Sequence, residues 1–71
     1  MNPPDPAAVD YFVTYLQIKY QLVIGSNQAQ DLMTQAKNVD DEMLLIIHGR
    51  NQKTGEELTL KISVKEIIKI S

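Results

Sequence analysis

The segment from Val9 to Ile24 is the hardest constraint on this chain. Ten of its 16 residues are Val, Ile, Thr, Phe or Tyr. Such side chains lose rotamer freedom in a helix and suit a pleated surface. Phe12, Leu16, Ile18, Tyr20, Leu22 and Ile24 share one face at period two, interrupted only by Thr14. A straight strand of that length would measure roughly 50 Å, at about 3.3 Å per residue. A domain of this size has a radius of gyration near ~11 Å, so the segment must bend or fold back. No tight-turn residue marks the place, and a β-bulge around Gln17 to Lys19 is the expected break. A competing signal lies just upstream. Asp5-Pro6 has the form of an N-cap followed by proline at the first helical position, which would begin a short helix. Residues 1 to 8, with three prolines, otherwise read as an extended or frayed tail.

The remainder is easier to parse. Ala29, Leu32, Met33 and Ala36 fall at i, i+3, i+4 and i+7, predicting an amphipathic helix from Asn27 to Asn38 capped by Ser26 or Asn27. Met43 to Ile47 is apolar on both faces and reads as a central strand covered on one side by that helix. Arg50 to Gly55 is a hairpin loop in which Gly55 takes a positive φ. Leu58, Leu60, Ile62 and Val64 alternate with Thr59, Lys61 and Ser63, a strand with one solvated face. Ser63-Val64-Lys65-Glu66 has capping-box spacing and predicts one helical turn, after which Ile67, Ile68 and Ile70 form a short last strand.

The expected architecture is therefore α+β: a small, curled antiparallel sheet of four to five strands with one helix packed on it (ββαβββ), a single domain over residues 9–71. Residues 43 to 70, a clean strand followed by a one-turn break and a short isoleucine-rich strand, resemble the close of an SH3-like or Sm-like small β-barrel. That resemblance implies a barrel carrying an inserted helix as the alternative fold.

Composition narrows the function. Among 71 residues there is no cysteine, which excludes disulfides and Cys-based metal sites and suits a reducing cytoplasm. No apolar run is long enough to span a membrane, and no leader pattern precedes the first segment. The only histidine, His48, ends a strand beside Gly49 and reads as a structural or solvent-facing residue. Asp40, Asp41 and Glu42 lack the spread of oxygens and the glycine of a calcium loop and read as a solvated corner. Glycines at 25, 49 and 55 give no phosphate-cradling spacing. The expectation is a protein with no enzymatic activity, no cofactor and no metal.

Two features point to binding instead. In the strand reading, Tyr11, Val13 and Tyr15 form an apolar patch on the face away from Phe12, which a second subunit could cover. Charge is also unevenly placed. Residues 1–47 hold two lysines against six acids, −4, whereas residues 48–71 hold five basic residues against three acids, +2. Arg50, Lys53, Lys61, Lys65 and Lys69 could meet phosphates if one surface gathered them; as edge residues they would instead discourage strand-to-strand aggregation. The leading expectation is a small cytoplasmic interaction module, with a phage or mobile-element accessory protein as one source. It would self-associate, as a homodimer first, through the Tyr11–Tyr15 strand or an open sheet edge, with some further protein partner. The alternative is a small nucleic-acid-binding barrel using the basic half. No membrane partner is expected.

Overall fold

Asp5 and Pro6 decide the fate of the first segment. In the computed structural model, which describes residues 5–70, the Asp5 side chain accepts a hydrogen bond from the Ala7 N–H at 3.0 Å. With Pro6 in the first turn, a helix α1 (Pro6–Tyr20) follows. The long bent strand is thus replaced by a helix, and no bulge occurs at residues 17 to 19. Pro6 to Ala8, expected in the tail, open this helix, while residues 1–4 lie outside the described residues.

Burial explains why the helix wins. At helical spacing Val9, Phe12 and Leu16 fall on one stripe and are buried, with Val13 and Tyr20 packed against the same core. Placing β-branched or aromatic residues in a helix costs a few tenths of a kcal/mol each. Fully burying a side chain such as Phe12 or Leu16 returns roughly 2 kcal/mol. The helix ends at Gln21, whose left-handed φ of 60° turns the chain while its N–H still bonds the Gln17 carbonyl at 3.1 Å.

A two-residue strand β1 (Leu22–Val23) and then α2 (Ser26–Lys37) follow. The stripe Ala29, Leu32, Met33 and Ala36 is buried as expected, but the N-cap is Gly25, without a side-chain cap bond, rather than Ser26 or Asn27. The acidic corner is exposed and forms a turn: Asp40 accepts from the Glu42 N–H through its side chain and from the Met43 N–H through its carbonyl. Beyond it run β2 (Leu44–Asn51), β3 (Glu57–Ser63) and α3 (Val64–Ile70). The hairpin is closed by the Asn51 side chain, which accepts from the Lys53 and Thr54 N–H groups, and Gly55 takes φ 75° as expected.

The sheet has three antiparallel strands in the order β1-β2-β3. The expected four to five strands with one helix are therefore corrected to three strands and three helices among the described residues, in the order αβαββα. The barrel alternative is corrected with them, because the sheet is open and its supposed closing strand is helical. Ser63 Oγ does accept the Glu66 N–H at 3.2 Å, but the turn it starts continues to Ile70 and buries Val64 and Ile67, three residues apart.

One side of the sheet meets all three helices. Leu45 and Ile47 of β2 and Ile62 of β3 point into a core that includes Phe12, Leu16, Leu22, Met33, Val64 and Ile67. Gly49 lies on β2 next to Arg50 and Asn51, the residues that pair with β1. A Cβ there would come within 2.6 Å of the Val23 carbonyl oxygen and 2.7 Å of Leu22 Cδ1, so only glycine admits this strand pairing.

Candidate interaction surfaces

The helical form of residues 6–20 redistributes the expected patch. Tyr11 and Tyr15, four apart, stay on one side of α1. Val13 turns away to pack against the core. Ile18, at i+7 from Tyr11, joins the tyrosines instead. Tyr11 is 61% and Ile18 74% exposed, and with Thr14, Tyr15 and Lys19 they line a shallow groove along the helix.

Tyr15 itself is only half free, because its hydroxyl belongs to a polar knot joining α1 to α3. Glu66 Oε2 accepts from Tyr15 Oη and Tyr20 Oη, each at 2.7 Å, and from Lys19 Nζ at 3.2 Å. Lys19 Nζ also donates to Tyr15 Oη at 3.0 Å and lies 5.4 and 5.3 Å from the centres of the Tyr15 and Tyr20 rings. Partial burial alone would push the Glu66 carboxyl up. The hydroxyls of Tyr15 and Tyr20 and the Lys19 ammonium outweigh it and hold the carboxyl below its ordinary 4.5. The hydrogen bond to Tyr15, followed by that to Glu66, raises the Lys19 ammonium, and loss of surrounding water raises the Tyr20 phenol. Contacts spanning 46 to 51 residues tie this knot together, so spacing along the chain carried no signal of it.

The basic residues do not gather on one surface. Arg50 lies on the outer sheet face across from Glu57 and donates to the Gly55 carbonyl at 3.0 Å. Lys53 is at the hairpin tip. Lys61 is on the outer face opposite Ile46. Lys65 and Lys69 share a groove with Tyr15, Lys19, Ser63 and Glu66, where an acid already sits among the lysines. His48 is exposed on the outer face, its Nδ1 3.1 Å from Thr59 Oγ1.

That outer face has no helix against it among the described residues. Val23 of β1 and Leu44 and Ile46 of β2 stand on it 40%, 57% and 54% exposed, in a field otherwise made of His48, Arg50, Glu57, Thr59 and Lys61. Next to it runs β3, which among the described residues pairs only with β2. No helix among the described residues is long and apolar enough to cross a membrane, and no group of three or more potential metal-ligating residues occurs among them.

Against this geometry, no family model and no curated protein matches the chain. Solved structures do. The fold superposes on MreB 5 of Spiroplasma citri bound to AMPPNP with a TM-score of 0.77 and 25% identity, over 90% of this chain. The same protein bound to ADP gives a TM-score of 0.75 and 26% identity over 89% of this chain. The chain spans 20% of that protein's length. What the likeness describes is one fold unit of a larger body.

Proposed function

We propose that this chain is a non-enzymatic, MreB-like fold unit that works by protein–protein association, first of all with a second copy of itself. The observation that carries this reading is the exposed apolar surface: Tyr11 and Ile18 on α1, and Val23, Leu44 and Ile46 on the outer sheet face. Large side chains in these positions, framed by charged and polar neighbours, are the composition of a contact surface. A standard interface covers about 800 Å² per partner, roughly a sixth of the 4800 Å² this chain exposes. No reaction is proposed for the chemistry-bearing residues. His48 is an exposed sheet residue bonded to Thr59, and Gly49 is committed to packing under β1.

The share of the matched protein favours a second partner of related kind. In MreB 5 the corresponding unit is joined to four times its own length of chain, so an MreB-like body is the protein we propose this unit also contacts. The AMPPNP and ADP of those structures are ligands of MreB 5; nucleotide binding is not proposed for this unit, whose glycines form no phosphate loop.

Light scattering after gel filtration, over a range of loading concentrations, tests the reading. The mass is expected to rise from the 8.0 kDa of one chain towards twice that value. A mass fixed at one chain at every concentration, with no co-elution with MreB 5, would overturn it.

A further inference from the structure

We infer that the free edge of β3 is the self-association surface, and that two copies join there in one antiparallel register centred on Thr59. This rests on the reading above that copies self-associate, but it places the joint on the open strand edge and leaves the exposed Tyr11, Ile18, Val23, Leu44 and Ile46 outside it. The first observation is the direction of the backbone groups. The Asn51 N–H donates to the Glu56 carbonyl at 2.8 Å, and the Val64 N–H donates to the Met43 carbonyl at 2.9 Å. Antiparallel ladders alternate between bonded and non-bonded pairs, so between those ends Gly49–Leu58, Ile47–Leu60 and Leu45–Ile62 are the bonded ones. The N–H and C=O groups of Glu57, Thr59 and Lys61 therefore point away from β2, along the open edge.

Charge then selects the occupant and the register. A second β3 running antiparallel, with Thr59 opposite Thr59, places Glu57 of each copy directly across from Lys61 of the other. All three pairings use the outward backbone groups, giving about six intermolecular hydrogen bonds. Opposite charges directly across a ladder are favourable, and so is a Thr–Thr pair at its centre. On the core side the same register sets Leu58 of each copy against Leu60 of the other, and both are only half-buried in the single chain. Shifting the centre by one residue to Leu60 would pair Lys61 with Thr59 and Glu57 with Ser63, leaving the charges unmatched. An edge lysine alone would discourage pairing; here a glutamate four residues earlier answers it.

Two single charge reversals and their mixture test the inference. Glu57→Lys alone sets lysine against lysine at both ends of the register, and Lys61→Glu alone sets glutamate against glutamate. Each is expected to lower the light-scattering mass of the parent to that of one chain, while far-UV circular dichroism remains that of the parent. An equimolar mixture of the two variants matches every charge and is expected to restore the dimer mass. Thr59→Pro supplies an independent arm, since its lost N–H faces outward and β3 keeps its bonds to β2; it too is expected to be monomeric. A dimeric parent whose mass all three variants retain would overturn the β3 assignment and leave self-association standing. A mixture of the two folded charge variants that stays monomeric would overturn the register. A parent that is monomeric throughout would overturn both.

Discussion

At the scale of single residues, Gly49 and Glu66 do the most with the least. Gly49 lets β1 approach to a distance that no Cβ tolerates, with backbone as well as side-chain atoms in the way. Gly49→Ala is expected to destabilise the fold by about 1–3 kcal/mol, the usual cost of forcing a methyl group into a filled space. In a domain of this size that would lower the midpoint of a thermal melt by roughly 4–8 °C per kcal/mol; an unchanged midpoint would mean that β1 yields freely. Glu66 gathers three donors on one oxygen and sits below its ordinary pKa. A carboxylate held down in the folded state stabilises it fully above the unfolded value and loses that contribution as pH falls through the folded value. Glu66→Gln is therefore expected to cost about 1 kcal/mol near neutrality. It is also expected to flatten the dependence of the melting midpoint on pH in the acid range, and melts of both proteins across that range compare the slopes. Neither role is visible along the chain: nothing near Gly49 in sequence announces the close approach of β1, and the partners of Glu66 lie 46 to 51 residues away.

Among the elements, legibility followed how cleanly apolar and polar residues separate. α2 was readable because Ala29, Leu32, Met33 and Ala36 stand against an otherwise polar sequence. α1 was not, because Tyr11 and Ile18 make its outer side apolar too and blur the helical period into an apparent period of two. The Asp5-Pro6 start signal was present and correct, but β-branched composition outweighed it in the sequence reading. α3 was half legible. The Ser63 cap and Glu66 spacing are real, whereas the isoleucines that read as a strand continue the helix because Ile67 finds the core at three residues from Val64. That last difference matters for binding. A strand after the turn could have covered β3, while a helix leaves its edge open.

The molecule as a whole combines one well-filled interior with two unequal outsides. The three helices and the inner sheet face bury Phe12, Leu16, Met33, Ile47 and Ile67, while the outer sheet face and the α1 groove keep large apolar side chains in water. Of the expected contact residues, Tyr11 and Tyr15 do share a face, Val13 does not, and the five basic residues are dispersed around the fold. The alternation along β3 was readable in the sequence; its position at an edge depended on the topology. The most direct test of association through that edge is amide hydrogen exchange of the native chain, followed by NMR at a dilute and a concentrated condition. The account expects the Glu57, Thr59 and Lys61 amides to slow with concentration, while those of Leu58 and Leu60, already bonded to β2, change little. Exchange at Glu57, Thr59 and Lys61 that is equally fast at both concentrations would contradict it.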